Sequence, residues 1–122
     1  MNFNITLNSL TIAVKDMDRA INFYENFFNE TLNVKNEIFN VFNLNGFEFC
    51  LFDNEKAFES VSYGTNCLPS FEVNDINLIE SKLNKLNAQI TFPLTQINNK
   101  LVLNFEDSEG NVIEVYSKLN FK

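Results

Sequence analysis

Three glutamates stand in short segments where most other side chains are apolar: Glu48, Glu72 and Glu114. A carboxylate in an apolar cleft attracts cations, and burial can raise its pKa toward neutrality, where it serves as a general base. The chain contains no histidine, so neither a Ser-His-Asp nor a Cys-His catalytic arrangement can form. The commonest ligand of zinc, iron and nickel is also missing. If the protein is an enzyme, we expect Glu114 to act as its base.

The remaining chemistry-bearing residues exclude several classes of function. Cys50 and Cys67 have neither a metal-type spacing nor a base to activate them, and such cysteines are typical of the reducing cytoplasm. Net charge is −7 and Arg19 is the only arginine, so we expect no nucleic-acid partner. There is no run of about 18 apolar residues and no basic stretch followed by an apolar one at the start, so we expect no membrane span and no secretory signal.

The elements that must position these residues begin with the segment 5–28. Its first part alternates between apolar and small or polar residues, which predicts a strand with two different faces. The apolar face consists of Leu10, Ile12 and Val14, and the other face consists of Ser9, Thr11 and Ala13. Asp16 can end this strand and cap a helix whose apolar residues recur at helical spacing over 17–28. The helix should cover the apolar face, which leaves Ser9 and Thr11 to line a site.

Short apolar segments and turns follow this first helix. The segments 32–34, 38–42 and 47–52 are predicted as strands. Asn43 to Gly46 is typical of a hairpin turn, with Gly46 taking the positive φ, and Asp107 to Asn111, with Gly110 in an Asp-x-x-Gly pattern, is predicted as a second hairpin turn. In the third segment Glu48, Cys50 and Phe52 share one face. Farther on, the predicted elements are a strand over 67–73, a helix over 75–87, a strand over 89–92 that ends before Pro93, and strands over 101–105 and 112–117.

The second half of the chain repeats the first. Val14-Lys15-Asp16 recurs as Val73-Asn74-Asp75, an offset of 59 residues, and each copy ends a strand and starts a helix. We therefore predict one domain, 1–122, with module one over 5–53 and module two over 67–117. One strand-helix-strand-strand-strand unit cannot bury both faces of its sheet alone. The predicted fold is α+β: a curved eight-stranded mixed sheet of two βαβββ modules, with helices outside and a cleft inside.

These motifs resemble the vicinal oxygen chelate superfamily, which includes glyoxalase I, extradiol dioxygenases, fosfomycin-resistance enzymes and bleomycin-resistance proteins. The resemblance rests on the two Val-x-Asp junctions, on Phe23-Tyr24 and on the ending Asp107 to Glu114, and it extends over 5–116. It implies paired βαβββ modules around a metal cleft and a homodimer.

The resemblance also assigns the four metal-ligand positions of the family. They fall on Ser9, Leu68, Glu114, and either Glu48 or Cys50. Catalytic zinc, nickel or iron needs at least three good protein ligands, and at most two remain here. We therefore expect no metal cofactor. The alternative that stays open is a magnesium or calcium ion held by oxygens of Ser9, Glu48 and Glu114.

Alternation along the strands predicts which side chains line the cleft. The expected ligand-binding residues are Ser9, Thr11, Glu48, Cys50, Phe52, Leu68, Ser70, Glu72, Glu114 and Tyr116. We interpret the protein as a small-molecule binder similar to the bleomycin-resistance, antibiotic-resistance branch, in which Phe52 and Tyr116 stack a planar group and the carboxylates attract a cation. The alternatives are an atypical lyase, isomerase or dioxygenase that uses a carboxylate-only metal site or Glu114 as base, and a subunit module with a filled cleft. The alternative for Glu48 and Glu72 is a solvated position at the cleft mouth, and the alternative for Glu114 is a carboxyl that is protonated, or hydrogen-bonded by Ser9 or Tyr116, and has no ligand role.

Overall fold

A computed structural model describes residues 7–60, 63 and 67–119 of the 122-residue chain. In chain order its elements are β1 (Ser9–Ala13), α1 (Met17–Phe28), β2 (Phe39–Leu44), β3 (Phe47–Phe52), β4 (Ser70–Glu72), α2 (Ile76–Lys85), β5 (Ile90–Ile97), β6 (Lys100–Glu106) and β7 (Val112–Lys118). The predicted α+β class is confirmed, and the element order is consistent with two related modules. Within the described ranges, no helix is both long enough and apolar enough to cross a membrane.

The strands form two mixed sheets with the same layout. The first has the order β1-β3-β2, and the second has the order β4-β7-β6-β5. In each sheet the first strand of the module lies at the edge and runs parallel to the last strand, while the remaining neighbours are antiparallel. Ser9 is therefore in register with Glu48, and Ser70 with Glu114. The repeated layout supports the repeat found in the sequence.

The segment 32–34, predicted as a strand, does not form one, so the described residues contain seven strands rather than eight. Side chains satisfy its backbone instead of a neighbouring strand: the Leu32 N–H donates to Glu25 Oε2 at 2.8 Å, and the Asn36 N–H donates to Asn40 Oδ1 at 2.9 Å. Val34 is 83% exposed, so it covers no apolar surface. The first sheet is one strand smaller than the second, and the two sheets do not form one continuous ladder.

Two strands of the second module also differ from their predicted lengths. β5 does not end before Pro93 but runs through it. This is tolerated because β5 is an outer strand, and its pairing with β6 is interrupted on both sides of Phe92. β4, in contrast, is only three residues long and so is shorter than the strand predicted over 67–73.

The helix-facing sides of both sheets contribute to one hydrophobic core, and α1 contacts both modules. The Phe27 ring lies 5.4 Å from the Phe105 ring and 5.8 Å from the Phe71 ring, centroid to centroid. Phe49 of the first sheet lies 5.5 Å from Phe71 of the second. Each such ring contributes about 1.5–3 kcal/mol when it is fully buried. The faces that carry Ser9 and the other expected binding residues lie opposite this core.

The predicted helix start and both predicted hairpin turns are confirmed. The side chain of Asp16 accepts a hydrogen bond from the Arg19 N–H at 3.1 Å and so caps α1. Gly46 has a φ of +89° and Gly110 a φ of +85°, which is the left-handed region where a side chain would be strained. These turns bring β3 back beside β2 and β7 back beside β6, so they set which residues face the candidate site.

Candidate functional site

The first sheet carries five of the expected binding residues on the face opposite the core. They are Ser9, Thr11, Glu48, Cys50 and Phe52. Ser9 is paired with Glu48 and Thr11 with Cys50, so these four side chains form two adjacent cross-strand pairs. Ser9, Thr11 and Glu48 are exposed, whereas Cys50 is only 3% exposed. Burial raises the pKa of the Cys50 thiol, which makes it a small buried apolar group rather than a nucleophile.

An aromatic pair closes one end of this face. Phe52 is in register with Phe39, and their rings meet edge to face at 6.2 Å. Phe39 remains 45% exposed, so its surface is accessible to a ligand. A planar molecule can stack against such a pair for about 0.5–1.5 kcal/mol beyond the area it buries. The sequence prediction included Phe52 and missed Phe39, because the alternation that places Phe39 on this face is visible only once its register with β3 is known.

The second sheet carries Ser70, Glu72, Glu114 and Tyr116 on its corresponding face. The Ser70 hydroxyl donates to Glu114 Oε1 at 2.6 Å, which fixes the orientation of that carboxylate. Glu72 Oε2 lies 3.6 Å from Lys118 Nζ, and the Nζ of Lys100 lies 4.6 Å from the centroid of the Tyr116 ring. Glu72, which was expected to attract a ligand cation, and Tyr116, which was expected to stack on a planar group, therefore already contact lysines of the chain itself. The carboxylate of Glu114 has no such lysine partner in the described part of the structure.

A groove of about 440 Å³ lies at the junction of the two modules. Its volume falls within the range of about 300–1,000 Å³ that is usual for small-molecule sites. Most of the lining residues are apolar, and Ser70 and Glu72 are polar. From the first module the groove is lined by Leu7, Leu10, Leu44 and Phe47; from the second it is lined by Cys67, Leu68, Pro69, Ser70, Phe71 and Glu72. Three of the residues predicted from sequence thus border one concave surface.

The structure brings the predicted residues together as two sets. One set lies on β1 and β3, and the other lies on and just before β4 and on β7. Across the ranges 7–60, 63 and 67–119, no hydrogen bond, ion pair or ring contact joins a member of one set to a member of the other. Their common role in binding stays a prediction.

The donor chemistry of the four family ligand positions does not fit a zinc, nickel or iron ion. Such ions require three or four nitrogen, sulfur or carboxylate ligands. Leu68 occupies one of the four positions, and its 46% exposed side chain has no donor atom. Among the described residues there is no group of three or more cysteine, aspartate or glutamate side chains placed to hold a metal ion. We therefore assign no chemical step to such an ion.

A polar network that the sequence did not reveal connects the turn at 107–111 to module one. Tyr24 donates its hydroxyl hydrogen to Asp107 Oδ2 at 2.5 Å, and the side-chain amide of Asn111 donates to the Ala13 carbonyl at 2.9 Å. Burial raises the pKa of Asp107 although Tyr24, Asn111 and Glu109 donate hydrogen bonds to it. This network fixes the end of β1, and therefore the face on which Ser9 and Thr11 lie.

Glu109 makes the second connection between the modules. Its Oε1 accepts from the N–H groups of Lys15 and Asp16, each at 2.8 Å, and its Oε2 accepts from Arg19 Nε at 2.7 Å. Burial alone would raise the pKa of Glu109, but hydrogen bonds led by that from Arg19 outweigh burial and lower the pKa below its usual value. The Asp-x-x-Gly turn pattern was visible in the sequence, but its partners lie about 90 residues away and gave no local signal.

Comparison with known proteins identifies the architecture. The profile of the Glyoxalase/Bleomycin resistance protein/Dioxygenase superfamily matches residues 6–115. No curated protein matches the chain.

Solved structures with the same architecture are similar over nearly their whole length. A glyoxalase-related enzyme from Fulvimarina pelagi superposes with a TM-score of 0.78 at 16% identity, over 93% of this chain and 88% of that one. A glyoxalase/bleomycin resistance protein/dioxygenase from Nocardioides superposes with a TM-score of 0.78 at 16% identity, over 100% of this chain and 89% of that one. A lactoylglutathione lyase from Agrobacterium tumefaciens superposes with a TM-score of 0.71 at 18% identity, over 89% of this chain and 90% of that one. At these identities the likeness concerns the fold.

Proposed function

The chain belongs to the Glyoxalase/Bleomycin resistance protein/Dioxygenase superfamily, and we propose that within it the protein binds a small cationic or aromatic compound without a catalytic metal centre. The observation that carries this proposal is the mostly apolar groove at the module junction, whose lining includes Ser70 and Glu72. Ser70 also holds the carboxylate of Glu114, so the groove offers an apolar wall beside a fixed negative charge. Such a surface favours a ligand with an apolar or planar body and a positive end.

The aromatic end of the first sheet supports the same class of ligand. Phe39 and Phe52 present ring surface on the same face of the first sheet as Glu48, four residues along β3 from it, and on the second sheet Tyr116 lies two residues from Glu114. We propose that the compound stacks on these rings while a carboxylate offsets its charge. Net charge of −7 opposes phosphorylated or carboxylated ligands, and nucleic acid in particular. We propose the cytoplasm as the compartment in which the protein meets this compound.

A homodimer is part of the proposal, because the two sets of binding residues lie on separate sheets. A second copy would place the open face of one sheet next to the open face of its partner's other sheet. The exposed leucines at the groove, Leu7 and Leu68, are apolar surface that such an association would cover. Each shared cleft would then contain Glu48 from one copy and Glu72 and Glu114 from the other.

Calorimetric titration tests the binding proposal. Bleomycin and a panel of cationic aromatic compounds are titrated into the wild type and into Glu114→Gln. We expect saturable binding of at least one compound, weakened roughly tenfold or more in the variant, because a charge-assisted contact is worth about 1.5–3 kcal/mol. Glu37→Gln, which changes an exposed glutamate outside the site, is the matched control and should bind as the wild type does. Absence of saturable binding across the panel would refute the proposal.

An enzyme remains the second proposal, and the 2.6 Å contact between Ser70 and Glu114 favours it. A carboxylate whose one oxygen is held by a hydroxyl can present the other oxygen to a substrate proton, as a general base does. Glu114 would then catalyse a lyase or isomerase reaction directly. A carboxylate-only metal site is the other form of this proposal, and it predicts stoichiometric retention of magnesium, calcium or manganese by the purified protein. Less than about a tenth of an equivalent by elemental analysis would exclude the metal form.

A further inference from the structure

Glu114 is the centre of a row of three polar side chains on adjacent strands. Ser70 of β4 and Asn104 of β6 are each directly in register with Glu114 of β7, so all three side chains lie on the same face of the second sheet. Side chains paired in this way have Cβ atoms about 4.5–5.5 Å apart. The row is therefore compact enough for a single small group to contact two of its members.

Two oxygens of this row have no donor in the described part of the chain. The Ser70 hydroxyl donates to Glu114 Oε1, and no donor reaches Oε2. Asn104 Oδ1 is buried and has no hydrogen-bond partner. A buried acceptor without a donor costs about 1–3 kcal/mol, and folded proteins retain few of them. The Asn104 oxygen therefore needs a donor that the described residues do not supply, and Oε2 of Glu114, which is not buried, is available to accept one as well.

The neighbouring charges decide what kind of donor fits. Lys118 lies within 3.6 Å of Glu72, and Lys100 lies over the ring of Tyr116. Neither lysine forms an ion pair with Glu114 among the described residues, so the negative charge of this carboxylate is not offset. A positively charged N–H donor gains more here than a neutral one, since hydrogen bonds between ionised partners are about twice as strong.

We propose that Glu114 and Asn104 together bind a primary ammonium group of the ligand. One ammonium nitrogen can donate to two oxygens at once, each at about 2.8 Å, and the direct pairing of Asn104 with Glu114 places both side chains where one small group can reach them. Asn104 is partly exposed and its terminal torsion is soft, so its oxygen turns toward the ligand without breaking a hydrogen bond. This inference rests on the proposed binding function and adds that N–H donors, not charge alone, are recognised.

Two probe compounds with the same charge test the ammonium inference separately from the proposed binding function. 2-Phenylethylamine carries a primary ammonium, and its N,N,N-trimethyl analogue carries the same charge on the same skeleton without any N–H. We expect the primary amine to bind roughly ten- to a hundredfold more tightly in calorimetry. Equal affinity of the two probes would overturn the ammonium inference and leave the binding function standing. If neither probe binds, the ammonium inference is overturned, and the bleomycin titration decides the binding function separately.

Substitution of Asn104 tests the same contact from the protein side. Asn104→Leu keeps the shape and removes the acceptor, and we expect it to weaken binding of the primary amine by about tenfold without changing affinity for the trimethyl analogue. Asn22→Leu makes the same change at an exposed position of α1 and should affect neither probe.

Thermal unfolding of the two variants separates recognition from a structural role. Because Asn104 Oδ1 has no partner, Asn104→Leu should keep or raise the unfolding temperature. A lowered unfolding temperature of Asn104→Leu, together with an equal loss of affinity for both probes, would show that Asn104 acts only on the fold. That result would overturn the inference.

Discussion

Glu109 lies where the turn at 107–111 contacts module one, and its side chain accepts several hydrogen bonds there. Its carboxylate accepts from the backbone of the β1–α1 turn, from Arg19 and from Ser108. The side chain is fully buried, whereas that of Arg19 is 51% exposed, so the stabilisation comes from the hydrogen bonds more than from the ion pair. A negative charge at this turn also complements the positive end of α1. The residue therefore supports the fold beside the candidate site and does not act in it.

The first prediction concerns the loss of this charge. Glu109→Gln places an amide, which is half donor, against several N–H groups, so we expect the free energy of unfolding to fall by about 2–3 kcal/mol. Urea denaturation followed by circular dichroism measures it. Glu37→Gln serves as control and should change the free energy by less than about 0.5 kcal/mol, because Glu37 is exposed. A change in Glu109→Gln as small as that in the control would contradict the assigned role.

The second prediction is a dependence of that difference on pH. The pKa of Glu109 in the folded protein lies below its ordinary value of 4.5, so its contribution is present above that pH and is lost as pH falls through the folded pKa. We expect the stability gap between wild type and Glu109→Gln to be constant from about pH 8 to 6 and to shrink below about pH 4.5.

Asp107 supplies a control of opposite sign for this pH series. Its pKa is raised from the ordinary value of 3.8, so its contribution is greatest at low pH and declines as pH rises through the folded pKa. The difference in free energy of unfolding between wild type and Asp107→Asn should therefore shift toward greater wild-type stability as pH falls. Urea denaturation across this pH range measures the free-energy difference between wild type and each variant. If both differences change with pH in the same direction, the pKa directions given for Glu109 and Asp107 are contradicted.

Among the elements, those with a strong local signal were predictable from the sequence. The alternation in β1, the Asp16 cap and the turn glycines all act over a few residues, and the structure confirms each of them. The segment 32–34 and the passage of β5 through Pro93 could not be predicted in this way. The first depends on side chains of Glu25 and Asn40, and the second depends on the position of β5 at a sheet edge.

The third prediction tests why the segment 32–34 is not a strand. Asn40 is 5% exposed and clamps Asn36 through two hydrogen bonds, of 2.9 Å and 2.7 Å. Asn40→Val should cost about 1–2 kcal/mol of stability and speed hydrogen exchange at the Asn36 N–H, because the backbone N–H and carbonyl of Asn36 both lose their partner. Asn33→Val, at an exposed position of the same segment, should leave both unchanged. Unaltered exchange in Asn40→Val would show that another contact holds the segment.

The candidate site was predictable face by face but not as an assembled whole. Period-two alternation gives the face of each strand that carries Ser9, Glu48, Ser70 or Glu114, whereas the pairing of Ser9 with Glu48 and of Ser70 with Glu114 comes from the registers of the strands. Alternation says nothing about lysines that contact Glu72 and Tyr116 from the same sheet, because those contacts depend on side-chain reach. It also did not single out Asn104, whose significance lies in a missing donor.

At the scale of the whole molecule, the fourth prediction is a homodimer with shared sites. Sedimentation analysis should give twice the mass of one chain. If each cleft joins the first sheet of one copy to the second sheet of the other, Glu48→Gln and Glu114→Gln variants should each bind weakly, and their mixture should regain about a quarter of the wild-type sites. A mixture no better than its components would place each site within one chain, and a monomer at all concentrations would refute the dimer.

The position of bound ligand tests the central claim most directly. Isotope-labelled protein is titrated with 2-phenylethylamine and with bleomycin while the amide resonances are followed by nuclear magnetic resonance. Binding at the proposed surface predicts saturable shifts in residues 67–72 and 112–116 and at Asn104, with smaller shifts in 7–10 and 44–52, and little change along α1 and α2. Absence of saturable shifts, or shifts confined to the two helices, would contradict the account.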